Sequence, residues 1–347
     1  MQTDLFDYHL PQDQIAQVPL PRGESRLMVL DRAAQTIQHR QFRDILEYLG
    51  SGDTLVLNDT RVSARRIEAQ RENGLPVEVM LLAPTDDRHW NALLKPARRV
   101  AVGNCVTLRE GSEQIAAKVV GINPDGSRRL AFETPAESLQ VAGWGKSPLP
   151  PYIGTALDKE NEERYQTVYS AHSGSAAAPT AGLHFTPEIL AAANQKGIGT
   201  AFLTLHVGID TFRPVKTEDT DTHEMHGESY TLSEETAHKI NATTGKVFAV
   251  GTTSVRVLET AARLKNERLP DADGRVLPFQ GVSRLFLTPG SPFYGTDALL
   301  TNFHLPRSTL LMLVSAFASR EFVLEAYQTA IRENYRFFSF GDAMLIL

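Results

Sequence analysis

The stretch KVFAVGTTSVRVLETAARLK, residues 246 to 265, decides the fold class of this chain. A short apolar run ends at Val250, and a turn of Gly251 and three hydroxyl residues follows it. From Val255 to Lys265 the pattern is that of a helix. A strand that turns directly into a helix is typical of α/β proteins with a parallel sheet.

The same alternation continues on both sides of this stretch. Thr186-Pro187-Glu188 has the composition of a helix start, and the helix should end near Gly197. The strand Thr200 to Val207 follows, and Ala298 to Phe303 predicts another strand with Pro306 starting the next helix. These units predict an α/β domain with a mainly parallel sheet, either open or barrel-like.

Residues 66 to 135 have a different pattern, in which turn sequences separate five short runs that read as strands. The runs are Leu75 to Leu82, Trp90 to Leu94, Cys105 to Leu108, Ala116 to Val120 and Arg129 to Phe132. Short strands at this spacing predict a small antiparallel barrel or sandwich. We therefore predict a discontinuous α/β catalytic domain, residues 1–65 and 148–347, with an inserted β-barrel domain at residues 66–147. The Pro-rich segment from Pro148 to Tyr152 would be the return linker.

Composition narrows the class of protein. The 347 residues are 42% hydrophobic and 22% charged, as in ordinary globular proteins, and Cys105 is the only cysteine. The N-terminus has no basic leader before an apolar run, and the apolar run Leu310 to Phe317 is too short to span a bilayer, so we expect a cytoplasmic protein without membrane contact. The net charge of −6 provides no overall attraction to nucleic acid, so such a partner would need a local basic patch, as in residues 61 to 129.

Polar residues cluster where predicted strands end. The turn Gly251-Thr252-Thr253-Ser254 offers amides and hydroxyls to a phosphate or carboxylate, although helix capping alone explains such residues. Asn58-Asp59-Thr60-Arg61 follows the strand Thr54 to Leu57 and is compatible with an ordinary turn.

Five of the ten histidines are candidates for site residues, and all five fall in the α/β part: His184, His206, His223, His226 and His304. His223 and His226, with Glu228 near, have a spacing that a metal ion can use on a helix, but this stretch lacks helical periodicity. Neutral imidazoles equally suit acid–base catalysis near neutral pH, and a hydrogen-bonded structural role is the default for any one of them.

Seven separated runs carry a family resemblance. They are Asn58 to Val62, Pro148 to Ile153, Tyr165 to Ser170, Ala178 to Phe185, Gly251 to Arg256, Thr301 to Pro306 and Tyr335 to Met344. In this order, and from Phe6-Asp7-Tyr8 to the C-terminus, the sequence resembles the S-adenosylmethionine:tRNA ribosyltransferase-isomerase family of queuosine biosynthesis.

The resemblance implies an α/β-barrel-like domain with an inserted β-barrel. It also implies that the enzyme moves the ribosyl part of S-adenosylmethionine onto 7-aminomethyl-7-deazaguanine at the wobble position in the tRNA anticodon. The products would be epoxyqueuosine-tRNA, adenine and methionine. S-adenosylmethionine is then a consumed substrate, and no metal or redox cofactor is implied. We expect a monomer that binds tRNA and S-adenosylmethionine.

Within the matching motifs, His184 or His304 is the candidate base, and Glu228 or Asp342 is the candidate to face the sulfonium or the amine. Candidate substrate-binding residues are Asn58, Asp59, Thr60, Arg61, Arg66, Thr180, Gly182, His206, Thr252, Thr253, Ser254, Asn302 and Arg336. Thr252 to Ser254 would hold the methionine carboxylate or a tRNA phosphate. Arg61, Arg66 and the basic insertion, including Arg98 and Arg99, would contact the tRNA backbone.

Three positions depart from the family pattern. Ala64 stands where the family usually has Pro, Asp210 replaces a usual Gly, and Thr288 replaces a usual Tyr. Asp210 is for this reason a poor candidate for a shared catalytic acid.

Overall fold

The computed structural model describes residues 1–123, 126–133, 143–148, 152–153, 159–208, 215, 217–271 and 273–347, without the side chains of residues 159–161. Asp210 and the central part of the predicted Pro-rich linker lie outside these residues.

The described residues form strands and helices with the following bounds. The strands are β1 Arg26–Asp31, β2 Thr36–Gln41, β3 Thr54–Asn58, β4 Thr60–Val62, β5 Arg65–Arg71, β6 Pro76–Pro84, β7 His89–Lys95, β8 Cys105–Glu110, β9 Glu113–Ile122, β10 Arg128–Phe132, β11 His172–Ser175, β12 Gly199–Leu205, β13 Glu228–Leu232, β14 Val247–Val250, β15 Phe279–Ser283, β16 Ala298–Asn302 and β17 Ala343–Ile346. The helices are α1 Lys159–Arg164, α2 Pro187–Gln195, α3 Glu234–Asn241, α4 Thr252–Arg268, α5 Thr309–Ala318 and α6 Arg320–Arg332.

Nine strands form the main sheet, in the order β15-β13-β12-β3-β14-β16-β17-β1-β2. Parallel pairing joins β12, β3, β14 and β16 to one another and joins β1 to β17. The other four neighbouring pairs are antiparallel. The expectation of a mainly parallel sheet was therefore wrong, because β13, β15, β17 and β2 each pair antiparallel with a neighbouring strand.

Helices and turns cover both faces of this sheet, which explains why the central strands are apolar throughout. Val56 and Ala249 point to the cluster that contains α4, α5 and α6. Leu55 and Phe248, one residue earlier on each strand, point to a second cluster with Ala193 of α2. Because successive strand residues face opposite sides, each strand contributes to two cores.

The turn after β14 is as predicted, but α4 begins at Thr252 rather than Val255. Gly251 has φ 89° and ψ 153°, a conformation that is essentially restricted to glycine. It turns the chain from the strand straight into the helix, so Thr252 to Ser254 form the first helical turn. The expected helix start at Pro306 was wrong, since Ser308 caps α5 through a bond from Leu311 N.

The insertion is a closed six-stranded antiparallel barrel in the order β10-β7-β6-β5-β8-β9. Its interior is a separate hydrophobic core that includes Val79, Trp90 and Leu130. Ala64, Met80 and Ala176 form a small apolar contact between the barrel and the main domain. The predicted fold class, an α/β domain with an inserted antiparallel barrel, is confirmed.

Two apolar segments of the second half of the chain are buried. The run Leu310 to Phe317 lies in helix α5, where most of its side chains are buried. The aromatic segment near the C-terminus is also core, with Tyr335, Phe337 and Phe340 buried. No helix in the described part of the chain is long and apolar enough to cross a membrane.

Candidate active site

A cleft of about 70 Å³ opens where β14 and β16 end. Its walls come from the turn at residues 178–181, the first residues of α4, the segment after β16 and the aromatic segment at residues 338–339. Five predicted substrate or catalytic residues line it: Thr180, Thr252, Thr253, Asn302 and His304. The strand ends of an α/β sheet are the usual location of ligand sites, so this cleft is the candidate active site.

The N-terminus of α4 forms one wall of the cleft. Gly251, Thr252 and Thr253 line it, and no side chain caps this helix end among the described residues. Free backbone amides and the helix dipole make such an end attractive to an anion. Ser254 does not take part, because its buried hydroxyl donates to Val250 O over 2.8 Å.

Asn58 holds the first turn of α4 in place. Its Nδ2 donates to Thr253 Oγ1 over 3.2 Å and to Leu205 O over 3.0 Å. Its Oδ1 accepts from Leu205 N and Thr60 N. Asn58 is fully buried and does not line the cleft, so its part in substrate binding is indirect.

His304 lies at the cleft with a neutral imidazole. Burial lowers its pKa from 6.5 to about 3. Its Nε2 is 2.8 Å from Thr301 Oγ1, its backbone N–H donates to Tyr327 Oη, and its carbonyl accepts from Tyr8 Oη. Nδ1 makes no hydrogen bond to the described residues. The ring of His304 is therefore held in place, and its Nδ1 is the nitrogen without a hydrogen bond to the described residues.

An aromatic wall of the cleft was not found from the sequence. Tyr152 and Phe338 both line it, with ring centroids 4.7 Å apart, and Tyr152 Oη lies 2.6 Å from Ser339 Oγ. Phe338 has φ 71°, which is a rare conformation for a bulky residue, and Asn302 Nδ2 donates to its carbonyl over 2.9 Å. The motif near the C-terminus contains Phe338, but no feature of the sequence indicates a left-handed phenylalanine.

His184 lines a smaller cavity of about 30 Å³ beside the cleft, and Ser339 borders both. Ser25 Oγ lies 2.8 Å from His184 Nδ1, and Phe42 stacks on the ring with centroids 5.0 Å apart. Burial lowers the pKa of His184 to about 4, while an interaction with the Asn302 side chain opposes this shift. The imidazole is neutral and lies behind the wall that Asn302 forms.

Glu228 is a buried carboxylate paired with the buried guanidinium of Arg256. It also accepts from Gly208 N over 3.1 Å, and His226 Nε2 lies 3.8 Å away. Burial alone would raise its pKa, but Arg256 and His226 outweigh burial and hold the pKa below its usual value. Glu228 does not line the cleft.

Asp342 also lies away from the cleft lining. Its two carboxylate oxygens accept from Arg26 N over 2.7 Å and Arg336 N over 2.8 Å, and its pKa is raised by burial. The Arg336 guanidinium donates to Val18 O. These bonds attach the C-terminal aromatic segment to the start of β1, and the proposed catalytic role of Asp342 stays a prediction.

Asp59, Thr60 and His206 form a second polar group on the other side of Asn58. Thr60 Oγ1 lies 2.8 Å from His206 Nδ1. Asp59 Oδ1 accepts from Thr204 Oγ1 over 2.6 Å, and His172 Nε2 lies 3.6 Å from Asp59 Oδ2. We call these five residues, Asp59, Thr60, His172, Thr204 and His206, the Asp59 cluster.

Three other candidates lie outside the cleft lining. Arg61 donates to Ser170 Oγ and pairs with Glu163, and Arg66 lies on the barrel near Glu78. A Cβ on Gly182 would meet Tyr169 Oη at 2.0 Å, so close packing with Tyr169 requires a glycine here, and its predicted role in substrate binding stays a prediction.

The described histidines and acids do not assemble a metal site of three or more ligands. His223 packs edge-on against Phe286, 5.3 Å between centroids. Thr288 lies in a turn where its N–H donates to Ser291 Oγ, and it does not line the cleft.

The comparisons with known proteins agree with this architecture. A solved structure described as an S-adenosylmethionine tRNA ribosyltransferase from Thermotoga maritima is 39% identical and superposes with a TM-score of 0.54. The match covers 99% of this chain and 100% of that one. The class that fold and site define is thus a transferase built from an α/β domain with an inserted barrel.

Residues 3–346 match the family model described as queuosine biosynthesis protein. The chain belongs to this family, which confirms the resemblance inferred from the seven motifs.

Proposed function

We propose that this protein transfers and isomerises the ribosyl moiety of S-adenosylmethionine onto 7-aminomethyl-7-deazaguanine at the wobble position of a cytoplasmic tRNA. The tRNA product is epoxyqueuosine-tRNA, and adenine and methionine are released. S-adenosylmethionine is consumed as a substrate, and the proposal requires no metal or other cofactor.

The observation that carries the proposal is the convergence of five motif residues on one cleft. Thr180, Thr252, Thr253, Asn302 and His304 come from three separate sequence motifs and line the same walls. The open N-terminus of α4 suits the methionine carboxylate, and the face formed by Tyr152 and Phe338 suits adenine. The carboxylate and the adenine of S-adenosylmethionine therefore each have a matching surface in the cleft.

His304 is the better placed of the two candidate bases. We assign the Thr301 hydroxyl proton to Asn302 O, 3.3 Å away; in this arrangement Thr301 Oγ1 accepts from Nε2–H of His304 and the lone pair of the ring is on Nδ1. A sulfonium makes the neighbouring ribose 5′ hydrogens acidic. A neutral base in a preorganised cleft can remove one of them and form an ylide that expels adenine.

Mass spectrometry of the products tests the reaction. Purified protein is mixed with S-adenosylmethionine and tRNA carrying 7-aminomethyl-7-deazaguanine, in the presence of a chelator. We expect adenine, methionine and an epoxyqueuosine nucleoside to form together. S-adenosylhomocysteine would instead indicate a methyltransferase, and unchanged substrates with bound tRNA would indicate a tRNA-binding protein.

The role of His304 is tested by His304→Gln. We expect turnover to fall by about 10²- to 10⁴-fold, the usual contribution of a general base, while S-adenosylmethionine still binds. His238→Gln, which changes an exposed histidine on α3, is the matched control. Unchanged turnover in His304→Gln would transfer the role to His184, for which the same measurement is then made.

A further inference from the structure

We propose that the Asp59 cluster is the receptor for the aminomethyl group of the tRNA nucleotide, in which Asp59 binds the ammonium and His206 removes its proton. The inference rests on the proposed function, because that reaction requires a primary amine to become a nucleophile. A primary alkylamine has a pKa near that of lysine, about 10.4, and therefore arrives as a cation.

Asp59 is a nearly buried carboxylate whose charge has no cationic partner apart from imidazole. The residue is 7% exposed, and no Lys or Arg of the described chain lies within ion-pair distance of it. Thr204 Oγ1 donates to Oδ1 over 2.6 Å, and His172 Nε2 lies 3.6 Å from Oδ2. Buried charges are normally paired, so this oxygen suits an incoming ammonium.

His206 supplies the proton acceptor. We assign the Thr60 hydroxyl proton to His172 O, 3.4 Å away; in this arrangement Thr60 Oγ1 accepts from His206 Nδ1–H over 2.8 Å. This assignment puts the lone pair on Nε2, which makes no hydrogen bond to the described residues. The pKa of His206 is lowered by burial and by His172, against the effect of Asp59, so the ring is neutral near pH 7.

The surrounding residues hold this ring in place. Gly174 packs against it so closely that a Cβ there would lie 2.8 Å from the ring, which leaves glycine as the residue that fits. Tyr169 lies near Asp59, and its pKa is raised by burial and by the Asp59 charge. The titratable groups around the base are thus Asp59, His172 and Tyr169.

The cluster adjoins the candidate active site. Asn58, the neighbour of Asp59, bonds to Thr253, and Val207, the neighbour of His206, lines the cleft together with Thr253. An amine bound at Asp59 therefore lies next to the residues that form the wall of the S-adenosylmethionine cleft.

The chemical step is a single proton transfer. The N–H bond of the ammonium breaks, the proton moves to His206 Nε2, and the electron pair stays on nitrogen as the nucleophile. The imidazolium so formed is stabilised by the Asp59 carboxylate beside it.

Binding of two tRNAs tests the role of Asp59. One carries 7-aminomethyl-7-deazaguanine at the wobble position, and the other carries guanine there. We expect the wild-type protein to prefer the first, and Asp59→Asn to lose about tenfold or more of this preference, the value of one charged hydrogen bond. S-adenosylmethionine affinity should not change, which also reports that the variant is folded. A preference that survives in Asp59→Asn overturns the proposal.

The pH profile of His206→Gln tests the base. Without an imidazole, turnover depends on the free amine already in solution, so it should rise by about tenfold per pH unit through neutral pH. The wild-type profile should be flat there. A purely structural role would lower turnover equally at all pH values, and that result would overturn the assignment of His206.

Asp86→Asn is the matched control, since it removes the carboxylate of an exposed Asp–His pair on the barrel. It should leave both the tRNA preference and the pH profile unchanged. If the wild-type protein releases no adenine or methionine, the proposed function itself fails. If it does release them and both variants behave as the wild type, the inference fails alone.

Discussion

Asn58 and Thr253 join the end of β3 to the first turn of α4 through a buried hydrogen bond of 3.2 Å. The bond couples the ends of β3 and β14, with the candidate cleft beside Thr253 and the Asp59 cluster beside Asn58.

Asn58→Ala should therefore affect stability and binding together. Since four buried partners lose a hydrogen bond, we expect the free energy of unfolding to fall by about 2–4 kcal/mol. The KM for S-adenosylmethionine should rise, because Thr253 loses its support. Urea unfolding and steady-state kinetics measure the two effects. Asn73→Ala, in an exposed turn of the barrel, is the control and should cost less than about 0.5 kcal/mol.

Glu228→Gln leaves the buried Arg256 guanidinium with a neutral partner. Breaking one side of a buried ion pair costs about 3–5 kcal/mol, and urea unfolding should show a loss of this order. The control is Glu235→Gln, whose exposed pair with Lys239 contributes about 0.3–0.5 kcal/mol. Equal small losses in the two variants would mean that the Glu228–Arg256 pair is not a stabilising contact.

Acid should destabilise the protein through its buried histidines. His184 and His304 have folded pKa values of about 4 and about 3, below the unfolded value of 6.5. Their contribution to stability is complete above pH 6.5 and is lost as the pH falls, because the unfolded chain takes up protons first. The slope approaches about 1.4 kcal/mol per pH unit for each histidine.

Urea unfolding from about pH 7 to about pH 5 measures this slope. The variants His184→Gln and His304→Gln should each reduce the slope by the contribution of one histidine. The lowered pKa of Glu228 affects the free energy of unfolding in a separate pH range. Its contribution to stability is lost only as the pH falls below the ordinary Glu value of 4.5. A slope that neither histidine variant changes would refute the assignment.

Gly182→Ala should clash with Tyr169, since the new Cβ would lie 2.0 Å from its hydroxyl oxygen. We expect a loss of about 1–3 kcal/mol from overpacking. Tyr169→Phe removes that oxygen, so the double variant should recover part of the loss. A double-mutant cycle by urea unfolding measures the coupling, and strictly additive losses would show that Gly182 is required for another reason.

Local features of the fold were predictable from the sequence, whereas sheet order was not. The helix starts at Thr186 and near Thr252 depend on a few neighbouring residues, and the barrel strands follow short alternating runs. The pairing of β1 with β17 joins residues from opposite ends of the chain, and no local pattern encodes such a contact. Strand β5 was missed because its Arg-rich sequence resembles a surface segment.

The candidate site was also predictable only in part, because local motifs indicate residues but not how distant segments pack. The motif resemblance indicated Asn302 and His304. It could not show that His304 lines the cleft whereas His184 lies behind Asn302, because that difference depends on how distant segments pack together. From the sequence alone, Phe338 is expected in the core, because aromatic residues near an apolar terminus are usually buried. It is buried, and its unusual backbone conformation nevertheless makes it part of the cleft wall.

The position of β17 between β16 and β1 has a consequence for synthesis of the protein. β1 and β2 are translated first, yet β17 alone connects them to the rest of the nine-stranded sheet. On the ribosome this early hairpin must stay unpaired at one edge until β17 emerges, while the inserted barrel, whose strands are contiguous in the chain, can already close. The nascent chain thus exposes the free edge of the apolar strand β1 for most of its elongation. Chaperones that shield strand edges would act during this interval.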